Sequence, residues 1–67
     1  MKATPANMKK LEARGIKALV FSPETGEEYS GTSGDYWNLD PKKPLLDNNG
    51  NPMILCVRRT VYEEVQL

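Results

Sequence analysis

Side chains that could perform acid–base or nucleophilic chemistry are scarce in this chain. It has no histidine, so the usual general base and the usual catalytic triads are absent. Its single cysteine, Cys56, stands in the apolar run MILCV, where a thiol typically acts as a small buried hydrophobic group. Two pairs of adjacent glutamates would point to opposite faces of a strand, which is the wrong geometry for joint catalysis: Glu27 with Glu28, and Glu63 with Glu64. The sequence therefore predicts a protein that is not an enzyme.

Motifs for metal or cofactor binding are equally weak. The segment DNNGN, residues 47–51, is superficially similar to a calcium loop, but Gly50 stands fourth rather than sixth and the twelfth position is Arg58. The segment GTSGD, residues 31–35, is rich in glycine but lacks the lysine and the following helix of a phosphate-binding loop. One cysteine without histidine cannot make the usual zinc site. We predict no metal and no cofactor.

Aromatic residues with polar edges remain as candidates, because small barrels bind peptides or single strands through such side chains. On a strand Tyr36 and Trp37 face opposite ways, so at most one of them lies in the core. The alternative to a recognition role is that Trp37 fills the core and Tyr36 covers its rim. The candidate binding surface combines aromatic and basic residues: Tyr36, Trp37, Lys42, Lys43, Arg58, Arg59 and Tyr62.

Length and charge limit the protein class. A chain of 67 residues has room for a single small domain, 1–67, in which residues 1–7 could form a disordered arm. The formal net charge is zero, which disfavours a dedicated nucleic-acid binder, because such proteins carry a basic excess. No apolar stretch is long enough for a secretory signal or a membrane span, and a lone cysteine favours a reducing compartment. We expect a soluble, cytoplasmic protein with no membrane partner.

The first half of the chain predicts a short helix and a hairpin. Thr4 before Pro5 is a plausible N-cap, and Gly15 suits the position after the last turn of a helix over residues 5–14. The segment IKALVFS, residues 16–22, predicts a central strand, and SPETGEE predicts a turn with Gly26 at positive φ. EEYSG then predicts the return strand, with Tyr29 facing inward.

The second half predicts another hairpin and one long strand. DYWNL, residues 35–39, reads as a short strand and DPKKP as a stiff exposed connection. In DNNG, Asp47 can cap the turn and Gly50 can take the left-handed position; a two-residue turn on Asn49 and Gly50 is the competing register. Residues 53–65 predict one strongly bent strand. The expected fold is mainly β: a small curved antiparallel sheet or partly open SH3-like barrel of four or five strands, with a short N-terminal helix or turn.

Two functions fit these patterns. The first is a non-enzymatic binding or accessory protein that contacts another protein. Self-association is one form of it, because Val61, Val65 and Leu67 could pair across a subunit boundary. The alternative is a module for single-stranded nucleic acid or RNA that uses Tyr36 or Trp37 with nearby basic residues. Its sequence-level support is weaker, given the zero net charge.

Overall fold

The computed structural model describes residues 1–29 and 40–66. Within these ranges the protein is mainly β, with one short helix and a four-stranded antiparallel sheet. In chain order the elements are α1 (Pro5–Ala13), β1 (Leu19–Phe21), β2 (Glu28–Tyr29), β3 (Ile54–Arg58) and β4 (Tyr62–Glu64). The strand order β2-β1-β3-β4 is open, so backbone hydrogen bonds between the described strands do not close a barrel. The predicted DYWNL strand lies outside the described residues.

Helix α1 begins and ends as its sequence predicts. The Thr4 hydroxyl accepts a hydrogen bond from the backbone N–H of Asn7 at 3.1 Å, and Pro5 opens the first turn. At the other end, Gly15 has φ +71° and its N–H bonds to the carbonyl of Glu12. Since nine residues are too few for a stable isolated helix, α1 depends on packing Leu11 and its neighbour Met8 into the core.

The first hairpin is confirmed, although its strands are short. Gly26 has φ +79°, and Ser22 donates its backbone N–H to the carbonyl of Glu27 at 2.9 Å. β1 is central, because it pairs with β2 on one side and with β3 on the other. Tyr29 was expected to face inward. It shares a face with its partner Val20, but on an edge strand its side chain is 44% exposed.

The turn after residue 47 also follows the prediction. The Asp47 carboxylate accepts hydrogen bonds from the N–H groups of Asn49 and Asn51, both at 2.9 Å. Gly50 has φ +82° and donates its N–H to the Asp47 carbonyl. The hairpin therefore has a three-residue loop, residues 48–50, and the alternative register with a two-residue turn is not adopted.

The prediction of one long strand over residues 53–65 is wrong. The chain reverses at residues 59–61, where the N–H of Arg59 bonds to the carbonyl of Val61, and β3 and β4 form a third hairpin. This turn contains no glycine, proline or asparagine, so its sequence carries none of the usual turn residues. Val61 consequently stands 64% exposed at the turn, whereas Val65 is buried in the core of its own chain.

Residues 1–3, the start of the candidate disordered arm, pair with the first part of β3. They lie on the same side of β3 as β4, which pairs with its last part. Lys2 forms an isolated bridge with Ile54, and Ala3 is completely buried. Three backbone hydrogen bonds form a ring: from the N–H of Ala3 to the Met53 carbonyl, from Met53 to Leu45, and from Leu45 back to Ala3, at 2.8–3.1 Å. We call this arrangement the three-strand junction. The core packs around it between α1 and the sheet, and its buried members are Ala3, Met8, Leu11, Val20, Met53, Leu55 and Val65.

The sheet is strongly curled. In a flat four-stranded sheet the edge strands β2 and β4 would be about 14 Å apart. The register also offsets Glu28 from Tyr62 by four residues, or about 13 Å along the strands. The Tyr62 hydroxyl nevertheless donates a hydrogen bond to the Glu28 carboxylate, a contact that these side chains cannot make across a flat sheet. The prediction of a curved sheet is therefore confirmed.

Replacing Leu55 with alanine should destabilise the protein severely. Leu55 is 1% exposed, and removing a buried leucine side chain costs roughly 2 to 5 kcal/mol, which is a large part of the stability of a domain this small. Urea unfolding monitored by circular dichroism would measure this loss. Val61→Ala is the control, because an exposed residue should change the unfolding free energy by no more than about 0.5 kcal/mol. An unchanged midpoint for Leu55→Ala would contradict the core given above.

Replacing Gly50 with valine should cost about 1 kcal/mol or more, because a β-branched residue is strained at positive φ. Apart from the two adjacent residues, no atom of the described residues lies within 4 Å of the Cβ position, so the cost comes from the backbone and not from a clash. Gly50→Asn should recover part of the loss, since asparagine tolerates the left-handed region. Equal stability of the valine and asparagine variants would show that the backbone at residue 50 is not left-handed.

Candidate functional site

One face of the curled sheet carries an organised group of aromatic and charged side chains. The rings of Phe21 and Tyr62 meet edge to face, with centroids 4.5 Å apart and an interplanar angle of 65°. The Arg58 guanidinium carbon lies 5.5 Å from the Tyr62 ring centroid, and Arg58 Nη2 donates to the Tyr62 hydroxyl at 3.2 Å. Glu28 accepts hydrogen bonds from both Arg58 and Tyr62. We call Phe21, Glu28, Arg58 and Tyr62 the Tyr62 cluster.

The Tyr62 cluster is fixed in position but remains accessible. Tyr62 is 39% exposed, and the Arg58 side chain is 57% exposed. At this exposure the Arg58–Glu28 ion pair contributes less than about 1 kcal/mol to stability. Its larger effect is to hold the guanidinium and the phenol ring in a single arrangement.

An open cleft adjoins the Tyr62 cluster at the β3–β4 turn. Its lining is a continuous stretch of chain, residues 58–62. Arg59, Thr60 and Val61 are all exposed there. The cleft therefore offers two guanidinium groups, a hydroxyl and an apolar side chain next to an aromatic ring.

The structure divides the basic residues predicted from sequence between two surfaces. Arg58, Arg59 and Tyr62 lie together at the β3–β4 turn. Lys42 instead lines a second cleft beside Lys2, which pairs with the first residue of β3, about 13 Å from its last residue. Lys43 is exposed in the turn after Asp40 and lines neither cleft. Tyr36 and Trp37 lie outside the described residues.

Sequence reasoning missed two members of the Tyr62 cluster, Phe21 and Glu28. The sequence places Phe21 in a predicted central strand without a binding role, and it presents Glu28 as one of two neighbouring carboxylates. Their contacts with Tyr62 depend on the curl of the sheet, which joins residues of β1, β2 and β4 that are distant in sequence. The alternation of each strand assigns Phe21 and Glu28 to a face, but nothing local indicates which residues they meet.

The thiol of Cys56 is buried, in agreement with its interpretation as a hydrophobic residue. It is 1% exposed, and burial, reinforced by the negative charge of Glu64 on the adjacent strand, raises the pKa of this thiol. Cys56 is therefore protonated and inaccessible at neutral pH, the opposite of what a nucleophile needs.

A buried polar pair, Ser22 and Asp47, joins the two predicted hairpin turns. The Ser22 hydroxyl donates to the Asp47 carboxylate at 2.6 Å, and both residues are almost completely buried. This hydrogen bond, together with those from the Asn51 and Asn49 N–H groups, lowers the pKa of Asp47 below its ordinary value of 3.8. Because these contacts also fix the turn, the pair has a structural role.

Two further kinds of site, a metal centre and a membrane span, are absent from residues 1–29 and 40–66. In these ranges no three cysteine, aspartate or glutamate side chains are grouped so as to hold a metal ion, and no helix has the length and apolar character needed to cross a bilayer. Comparison of the chain with known protein families, with curated proteins and with solved structures found no match.

Acid should selectively remove the stabilising effect of Asp47. Its pKa is lower in the folded than in the unfolded chain, so ionised Asp47 stabilises the fold at neutral pH, and this effect is lost as the pH falls through the folded-state pKa. In urea unfolding, the difference in stability between wild type and Asp47→Asn should be largest near neutral pH and should shrink below about pH 4.

Ser22→Ala provides the matched control for this experiment, because it removes the largest cause of the shift and keeps the carboxylate. The acid-dependent part of its stability should be smaller than in wild type. A difference between wild type and Asp47→Asn that stays constant over the whole pH range would contradict a lowered pKa for Asp47.

Proposed function

We propose that this chain is a non-enzymatic accessory protein that binds another protein through the Tyr62 cluster and the exposed β3–β4 turn. The observation that carries the proposal is the arrangement of Arg58 against Tyr62, held by Glu28 and Phe21 on an accessible sheet face. Tyrosine and arginine are enriched among the residues that dominate the binding energy of protein interfaces.

Organisation of the site before binding supports this function. Ordering a flexible side chain at an interface costs about 0.5 to 1.5 kcal/mol, which weakens association by that amount. Tyr62 and Arg58 already contact each other and their neighbours in the free chain, so less freedom remains to be lost. Val61, which is 64% exposed beside them, adds an apolar contact that a partner can cover.

Charge favours a protein over a nucleic-acid strand as the ligand of this surface. Glu28 neutralises Arg58, and Glu63 and Glu64 stand exposed on β4, so the two arginines produce no basic excess here. Attraction to phosphates requires such an excess. Binding of single-stranded nucleic acid through Tyr36 or Trp37 is the alternative function, and the experiment below includes it as an outcome.

A partner of different sequence is favoured over a second copy of the chain. Val65 packs in the core of its own chain and is not available to another subunit. Antiparallel pairing of two β4 strands about Glu63 would place two Glu63 side chains directly opposite each other, and like charges in that position are destabilising. Self-association through the β3–β4 turn remains a second outcome of the test.

The proposal includes two further assignments, one of the fold type and one of the cellular location. The contact between Glu28 of β2 and Tyr62 of β4 supports a partly open SH3-like barrel, because it links the two edge strands of the sheet. The single cysteine, which is buried with a free thiol, supports a reducing location such as the cytoplasm. A structure determined by solution NMR and localisation of a tagged chain in its own cells would test these two assignments.

Site-specific photo-crosslinking in the cells of origin tests the proposed binding function. A photoreactive amino acid replaces Val61 in one chain and Asn49 in the control, which is also exposed and lies in a hairpin turn near the other end of β3. We expect one specific protein adduct from position 61 and none from position 49. Adding Arg59→Glu should reduce the adduct several-fold, since Arg59 lines the cleft without contributing to the Tyr62 cluster.

Three results would contradict the proposal. An adduct with nucleic acid at position 61 would favour the alternative function, and a covalent dimer of the chain would favour self-association. Equal protein adducts from positions 61 and 49 would show that the β3–β4 turn has no special role. Circular dichroism of each variant checks that its fold is intact.

A further inference from the structure

A second cleft lies at the other end of β3, between three separate parts of the chain. It is formed by the N-terminal segment, the first turns of α1 and the turn that follows Asp40, and its lining consists of Lys2, Thr4, Ala6, Asn7, Lys10, Pro41 and Lys42. We call it the lysine cleft. None of these residues contributes to the Tyr62 cluster or to the β3–β4 turn.

Hydrogen bonds brace the walls of the lysine cleft. The backbone N–H of Ala6 donates to the Pro41 carbonyl at 3.2 Å, which holds the turn against α1. The Asn7 side chain donates to the Lys2 carbonyl at 2.9 Å, which fixes the N-terminal segment. Ala6 and Lys10 are four residues apart and therefore lie on the same face of α1. The three parts of the chain thus keep a fixed relation to one another.

The charged residues that line the lysine cleft, among those that the structure describes, are all lysines. Lys2, Lys10 and Lys42 come from different parts of the chain, and none of them forms an ion pair with a residue in the described ranges. No acidic residue within the described part of the chain lines the cleft. The Asp40 carboxylate, two residues before Lys42, accepts a hydrogen bond from the backbone N–H of Lys42 at 2.9 Å.

The lysine side chains, and not the end of the helix, supply this charge. Pro5 has no N–H, the N–H of Ala6 bonds to Pro41, and those of Asn7 and Met8 bond to Thr4. The N-terminal N–H groups of α1 are thus already occupied. A ligand would be held by ammonium groups, with the Asn7 amide and the Thr4 hydroxyl as the neutral polar groups of the lining.

We propose that the lysine cleft binds a small polyanion of the phosphate-ester or pyrophosphate class. Three lysines border this one cleft, so a ligand with several negative charges can be attracted by more than one of them, and it gains more Coulomb energy than a ligand with a single charge. Among residues 1–29 and 40–66 no aromatic side chain lines the cleft, so these residues offer no stacking surface for the bases of a nucleic acid. This ligand site is separate from the proposed protein-binding surface and does not depend on it.

Titration of the full chain with sodium pyrophosphate, followed by ¹H–¹⁵N NMR, tests the proposal. Amide shifts should saturate with a dissociation constant on the order of 1 mM, because exposed lysines bind an anion weakly. The largest shifts should fall in residues 2–10 and 40–42, and they should diminish when sodium chloride is raised from about 20 to about 200 mM. Inorganic phosphate, with fewer charges, should bind more weakly.

Lys10→Gln should raise the dissociation constant for pyrophosphate at least threefold, or by about 0.65 kcal/mol at 25 °C. The matched control is Lys9→Gln, which removes the same charge from the next residue of α1, exposed but outside the cleft. Equal weakening of pyrophosphate binding by both variants would show that only the net charge of the chain matters, and this result would overturn the proposed site. Absence of saturable shifts in these residues would also overturn it, and so would tighter binding of a thymidine oligonucleotide at the same residues.

Discussion

The three-strand junction is the constraint on which the other elements depend. Ala3, Leu45 and Met53 each donate one backbone hydrogen bond and accept another, which satisfies the main chain around the fully buried Ala3 and Met53. Leaving one buried donor or acceptor without its partner costs about 1 to 3 kcal/mol, a sizeable share of the stability of a small domain. α1 begins at Pro5, two residues after Ala3, and β3 begins at Ile54, directly after Met53. The junction thereby sets the positions of α1 and β3 relative to each other.

Both candidate surfaces depend on this framework in different ways. The lysine cleft lies beside the junction, because Lys2 precedes Ala3 and Lys42 lies in the turn that leads to Leu45. The Tyr62 cluster lies at the far end of β3 and depends on the curl of the sheet. One strand therefore separates a uniformly basic surface from one in which aromatic and oppositely charged groups meet. A chain with zero net charge can in this way present two surfaces of different chemistry.

The features predicted correctly from sequence are those determined by a few neighbouring residues. Thr4 and Gly15 bound the helix, and Gly26 and Gly50 mark their turns, because each acts through its own backbone or through a hydrogen bond a few residues away. The turn at 59–61 was missed because no residue there prefers a turn; the pairing of β3 with β4 imposes it. Arg58 and Tyr62 could be grouped from sequence because they are close neighbours in the chain. Their contacts with Phe21 and Glu28, and the proximity of Lys42 to Lys2, arise only from the tertiary fold.

The bridge between Lys2 and Ile54 has a consequence for the order in which the chain can fold. Its two residues are about 50 positions apart, and contacts of such separation slow folding, since a long loop must close before they form. During synthesis the N-terminal segment is made first, yet its β-sheet partner appears only in the last quarter of the sequence. Helix α1 has too few residues to be stable by itself in the meantime. Folding of this domain is therefore expected to wait for the synthesis of β3, and the apolar side chains of α1 stay exposed until β3 emerges.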